Sequence, residues 1–180
     1  MFKLIMGLGN PGTRYKDTYH NIGKIFIDSL ADPPWKRVSR KHFVYTEKDG
    51  VILIKSTLFM NESGVSASEA LSYFKTIPSA FAVVHDDSDF FWGSHKLVFG
   101  RGPAGHKGVE SIIHNLHTKN FWRLRIGVRE QDETIEPNPA SPLLHQAKAG
   151  DFVLKKITKK HRGGLADLFA RMEREINQLP

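Results

Sequence analysis

The chain opens with an apolar run, Phe2-Lys3-Leu4-Ile5-Met6, that breaks into Gly7-Leu8-Gly9-Asn10-Pro11-Gly12 and then offers Tyr15, His20 and Asn21. A buried strand ending in a glycine-rich turn with polar side chains is the way an α/β sheet presents chemistry at its strand ends. Gly7, Gly9 and Gly12 match the spacing of the dinucleotide-binding fingerprint. The details disfavour that use. Pro11 removes a backbone donor that a pyrophosphate needs, the residues after Gly12 are polar, and no acidic residue ends a second strand at the expected distance. The same glycines read better as a sharp turn that lifts Asn10 to the surface.

Strand and helix patterns alternate along the rest of the chain. Asn21 to Leu30 has helical apolar spacing, closed by Asp32-Pro33-Pro34, and Lys36 to Lys41 reads as a basic connector. Two apolar runs, Phe43–Glu47 and Val51–Lys55, flank Asp49-Gly50 and predict a hairpin. A polar turn at Met60–Gly64 leads into a helix reaching about Phe74. Ala80–Val84 predicts a central strand that ends at His85-Asp86-Asp87; Lys96–Phe99 and Arg123–Val128 predict two more. Gly100 to Gly108 is a second glycine-rich loop, with a helix over Val109–Leu116. Residues 130–141 read as a surface loop, Leu143–Ala149 as a short helix, and Ile157–Leu179 as an amphipathic helix interrupted near Gly163-Gly164. No linker or repeat divides the chain. The pattern predicts one α/β domain over residues 1–180, with a mixed central sheet flanked by helices on both faces.

Composition narrows the function. No stretch approaches the roughly 20 apolar residues of a membrane span, and no secretory signal is expected at the N-terminus. The absence of cysteine excludes disulfide and thiol chemistry and fits a reducing compartment. The net charge of +7 is uneven. Residues 1–90 hold 11 Lys and Arg against 10 Asp and Glu, whereas residues 91–180 hold 15 against 9. A basic half points to a polyanion, nucleic acid first, or to a solvated basic face. The run Lys155–Arg162 allows the same two readings.

The candidate chemistry centres on His20. Asp86 and Asp87 follow the central strand, and strand ends of one sheet meet at one edge. A carboxylate accepting from one imidazole nitrogen fixes the tautomer and raises its basicity, leaving the other nitrogen to activate water. A metal is the rival use of His20, His85, His106, Asp86 and Asp89, but the spacings match no standard zinc pattern. Asn61 fits either a helix-capping turn or a residue that orients water. Arg101, His106 and Lys107 beside a helix start make a plausible anion site.

Five segments in order carry a resemblance: GLGNPGTRYKDTYHNIG at 7–23, STLFMNESG at 56–64, HDDSDFFWG at 85–93, GHKG at 105–108 and RLRIGV at 123–128. Together they resemble the bacterial-type peptidyl-tRNA hydrolases over nearly the whole chain. The resemblance implies hydrolysis of the ester joining a peptide to the ribose 3′ oxygen of tRNA, which recycles tRNA during translation. It implies no metal or organic cofactor, and a monomer acting in the cytoplasm. His20 is then the general base and Asp86 its partner. Asn10 and Asn61 position substrate and water, Tyr15 and Met60 line the cleft, and Arg125 contacts a tRNA phosphate.

Some positions depart from the family pattern. Lys107 stands where an Asn is usual, either lowering the basicity of His20 or donating to the substrate. Val98 replaces a basic residue found in some members, a role Arg101 could fill, and Tyr19 replaces an Arg. These departures keep a second reading open, a non-catalytic or weakly active RNA-binding homologue of the same fold.

Overall fold

The computed structural model describes residues 2–130 and 152–178. Seven strands make one sheet: β1 (Leu4–Gly7), β2 (Lys36–Arg37), β3 (Phe43–Lys48), β4 (Val51–Ser56), β5 (Phe81–Phe91), β6 (His95–Phe99) and β7 (Trp122–Arg129). Their order is β2-β3-β4-β1-β5-β7-β6. β1 lies at the centre, parallel to β4 with Leu4 opposite Ile52, and parallel to β5 with Leu4 opposite Phe81. β5 and β7 are also parallel, and the outer pairs are antiparallel. The sheet is therefore mixed, as the sequence predicts. The β3–β4 hairpin turns on Asp49 and Gly50, both with positive φ (50° and 79°), the geometry that an Asp-Gly pair favours.

The two faces carry separate cores because side chains alternate along each strand. Leu4 and Met6 of β1, Ile54 of β4 and Phe81 and Val83 of β5 pack against α2 (Ser63–Tyr73) and α3 (Lys107–Leu116). Ile5, Leu53, Ala82, Val84, Leu124 and Ile126 face the other way, onto α1 (Ile22–Leu30) and the C-terminal helix. That helix is in two pieces, α4 (Lys159–Gly163) and α5 (Leu165–Asn177), meeting at Gly164, where the sequence places an interruption.

Three elements differ from the sequence reading. β5 does not stop at Val84. It continues through His85, Asp86 and Asp87 because β7 offers Arg125, Ile126 and Gly127 opposite them. The connector after Pro34 contains the short edge strand β2, paired with Val44 and Tyr45. α3 begins two residues earlier than the apolar pattern, because His106 caps it. The rest of the expected loop over 130–141 beyond Glu130, and the helix over 143–149, lie outside the described residues.

The end of β1 is fixed by close backbone approach. Leu8 N–H donates to Val84 O at 2.9 Å, and Lys24 N–H to Leu8 O at 3.2 Å. Gly7 and Gly23 face each other there. A Cβ on Gly23 would stand 2.2 Å from Val84 O and 2.8 Å from Leu8 N. Gly23→Ala is therefore expected to cost about 1–3 kcal/mol of stability, as overpacking does, read as a lower urea midpoint at an unchanged m-value. An unshifted midpoint would contradict the approach.

Candidate active site

The residue preceding the site histidine explains how it is held. His20 lies in a 3₁₀ turn, Tyr19–Asn21, that runs into α1, so it precedes the helix and is not part of it. The far end of the chain braces this turn. Tyr19 N–H donates to Lys155 O at 3.1 Å and Ile157 N–H to Asp17 O at 2.9 Å, with Thr18 bridging Lys156 in antiparallel fashion. The Tyr19 ring is buried, stacked on Phe152 at 4.7 Å, and its hydroxyl hydrogen-bonds His161 Nδ1 at 2.7 Å. Trp92 stacks flat on His161 at 4.3 Å. The segment read from sequence as a charge run thus has a buried side, Ile157 and His161, that clamps the His20 turn.

His20 and Asp86 meet as expected. His20 Nδ1 lies 2.9 and 3.0 Å from the two Asp86 carboxylate oxygens. His106 joins them, its Nε2 3.0 Å from Asp86 Oδ1. The His106 tautomer follows from its other nitrogen. Nδ1 accepts from Gly108 N–H at 3.1 Å and Val109 N–H at 3.3 Å, so Nε2 carries the proton and donates to the carboxylate. A Cβ on Gly108 would sit 2.5 Å from Met60 Sδ, so the helix start needs glycine to approach this closely.

Burial and charge oppose each other at the pair. Burial pushes the Asp86 carboxyl up, but His20 and His106 together outweigh it and hold the group well below the usual carboxylate range. For His20, burial favours the neutral ring. The Asp86 charge and hydrogen bond outweigh burial and raise its pKa above the ordinary value. His85, the neighbour on β5, is the reverse. Burial first, then His106 and Arg123, hold it well below the ordinary value against the pull of Asp86. It donates from Nδ1 to Asp86 O at 2.6 Å. With Nδ1 of His20 on the carboxylate, Nε2 is the nitrogen left to take a proton.

His20, Asp86 and His106 are also the group among the described residues whose donor atoms could gather a metal ion, all within 4.8 Å. The imidazole nitrogens that would coordinate there are hydrogen-bonded to the carboxylate.

The other sequence-named residues fall into two sets. Asn10 is 9 % exposed, not lifted to the surface. Its backbone N–H donates to Asn21 Oδ1 at 2.8 Å, Asn21 Nδ2 donates back to Asn10 O at 2.9 Å, and its Oδ1 accepts from Met60 N–H at 2.8 Å. These bonds orient Asn10, tie it to the Met60–Glu62 turn, and leave its Nδ2 as the unassigned donor. Met60 is buried and Asn61 is exposed on that turn; Tyr15 packs edge-on to Phe59, with ring centres 6.3 Å apart.

The second set stands apart. Lys107 is 72 % exposed and pairs with Glu110 at 2.9 Å, within the first turn of α3 and not with His20. Arg125 donates from Nε to Asp87 and lies 4.6 Å over the Phe90 ring. Arg101 is exposed in the loop before α3. Val98 faces Arg123 in the β6–β7 register.

Sequence reasoning names His106 as a metal or anion candidate and misses it as the second hydrogen-bond partner of Asp86. The signal was present: a histidine two residues before a glycine at a helix start can accept from the first free N–H groups. It also missed the Tyr19–Trp92–His161 cluster, because no local pattern joins residues about 70 positions apart.

Fold and geometry define a class: a one-sheet α/β protein with a carboxylate-held histidine near the ends of parallel strands. Known proteins narrow it. The family model "Peptidyl-tRNA hydrolase" matches residues 4–179. A peptidyl-tRNA hydrolase of Nitrosomonas eutropha is 42% identical over 136 residues, covering 70% of this chain and 68% of that protein. One of Campylobacter concisus is 34% identical over 178 residues, covering 98% and 88%. The crystal structure of peptidyl-tRNA hydrolase from Acinetobacter baumannii superposes with a TM-score of 0.76 at 28% identity, covering 98% of this chain and 91% of that one. The chain belongs to the peptidyl-tRNA hydrolase family.

The dyad makes a titration testable by NMR. The His20 ring signals are expected to titrate with a midpoint above the ordinary histidine value of about 6.5, since its pKa is raised. In Asp86→Asn the pull is gone and burial remains, so the midpoint should drop beneath that value. By linkage, protonated His20 stabilises the wild-type fold below about pH 6.5, and this contribution fades as the pH rises through the raised folded value. An identical His20 midpoint in both proteins would mean that the pair does not form in solution.

Proposed function

We propose that this protein hydrolyses the ester of peptidyl-tRNA with His20 as general base. The observation that carries the reading is the bidentate approach of His20 Nδ1 to the buried Asp86 carboxylate, on a chain that belongs to this family. His20 Nε2 takes a proton from water as the oxygen attacks the ester carbonyl. The positive imidazolium that forms is held against Asp86, which His106 keeps ionised and in place. Asn10 Nδ2 is the donor for the developing oxyanion, since its Oδ1 is taken by Met60 N–H, and Asn61 orients the water. The tetrahedral intermediate collapses with cleavage of the bond to the ribose 3′ oxygen, and the proton on His20 returns to that leaving oxygen. Tyr15 and Met60 line the cleft.

Basic residues on the β7–β6 side take the RNA. Arg125, pinned by Asp87 and facing Lys96 across the β6–β7 register, is the phosphate contact, and Arg101, in the loop after β6, adds a further cation. Lys107, on the solvent side of α3, adds charge toward the RNA. The protein acts as a monomer in the cytoplasm, where tRNA is charged and recycled. No helix among the described residues is long and apolar enough to cross a membrane.

Cleavage of a defined peptidyl-tRNA tests the reading. His20→Ala is expected to lower kcat by about 10²-fold or more. In wild type, log kcat/KM should climb with pH and level off above the raised His20 value, because only the neutral ring accepts the proton. Tight RNA binding without cleavage at saturating protein would instead favour the non-catalytic alternative.

A further inference from the structure

The charged groups on the α1 side of Asn10 have no part in the scheme above. A cavity of about 480 Å³ opens there, lined by Asn10, Lys16, Lys24, Asp28, Arg37 and Lys55 among others. Its size falls in the range of about 300–1,000 Å³ typical of small-ligand pockets. Four basic residues and one acidic residue line it, and the carboxylate is taken: Lys55 Nζ is paired with Asp28 and sits 3.7 Å over the Trp35 ring. Lys24 has no hydrogen-bond or ion-pair partner for its ammonium among the described residues, although its stem packs down on Gly9. Burial, with the Lys55 charge added, lowers the Lys24 pKa to about 8, against the pull of Asp28. A half-buried ammonium set beside another is costly with the cavity empty, and an entering anion relieves both burial and repulsion.

The sheet order says which part of a substrate reaches it. The cavity lies toward β3 and β4, through Val44 and Lys55, on one side of β1. Arg125 and Lys96 stand on β7 and β6, on the other side. His20 is between them, on the turn after β1. If RNA takes the β7–β6 side, the acyl half of the ester leaves His20 toward β4. Asn10 belongs to both regions, with its side chain on Met60 N–H and its residue in the cavity wall.

We propose that this cavity is a subsite for an acidic side chain of the peptide being released, with Lys24 as its principal cation. The inference rests on the hydrolase reading above. It gives the enzyme a preference among peptide sequences, not only among peptidyl-tRNAs and other esters.

Three peptidyl-tRNAs that differ only in the residue before the esterified one, Glu, Gln or Lys, test it. Wild type should show a KM about 5-fold lower for Glu than for Gln, and highest for Lys. In Lys24→Gln the Glu-to-Gln ratio should fall to about one, while Lys119→Gln, on an exposed loop, should keep it. An equal KM for all three in wild type, or a preference that survives Lys24→Gln, overturns the proposal. So does a Lys24→Gln variant whose KM rises alike for all three, which would put an RNA phosphate in the cavity. The same peptides without tRNA give a readout independent of cleavage. The Glu peptide should raise the NMR titration midpoint of the Lys24 ammonium and the Gln peptide should not; equal response to both overturns the subsite. Failure to cleave any of the esters counts against the hydrolase reading instead.

Discussion

One carboxylate organises the molecule. Asp86 is buried at 3 % exposure and ionised, with His20 and His106 on it at 2.9–3.0 Å. A buried charge is stable only where partners replace the water it has lost. Much of the surrounding structure supplies those partners. β7 pairs with β5 past Val84 so that Asp86 is held by a continuing strand and not by a loose loop. The first turn of α3 gives two N–H groups to His106 Nδ1, which turns its other nitrogen toward the acid. The clamp by Lys155 to Ile157 holds the turn that delivers His20. Without either imidazole, the carboxyl would sit in the same burial with less to keep it charged.

The two cores divide this work. The face covered by α2 and α3 carries His106 and, through Met60 and Gly108, the floor beside Asn10. The face covered by α1 and α5 carries the His20 turn. The candidate site is thus assembled from both helical layers beyond the end of β1, where β5 runs on beside β7. Lys107 follows the same logic. It directly follows His106, yet its side chain leaves on the solvent side of α3 to meet Glu110. Lys107 therefore makes no contact with the His20–Asp86 pair.

Much of this was legible in residues close together in sequence. The Asp-Gly hairpin, the apolar run of β1 and the helical spacing after Asn21 each have a local cause, and each stands where the pattern puts it. His20 and Asp86 were paired by reasoning that strand ends meet at one edge, and the pairing holds. What failed depended on a partner strand or a distant segment. The apolar run ends at Val84, which puts Asp86 after the strand, and nothing before residue 125 announces that β7 will extend the pairing. The glycine-rich turn predicts an exposed Asn10, because a turn usually exposes its polar residue; Asn21 and the Met60 backbone draw it inward. Lys155–Arg162 was read by its charge, and the two residues that matter in it, Ile157 and His161, are its buried ones.

The clamp on the His20 turn also orders events during synthesis. Synthesis makes β1 and His20 before Asp86, and all of these before the segment from Phe152 to His161. Until that segment emerges, Tyr19 has no stacking partner in Phe152 and no hydrogen-bond partner in His161. His20 therefore stays on an unbraced turn while the sheet can already form. A chain that has not yet made residues 152–161 can pair its strands, but it holds the His20 turn without the contacts that brace it.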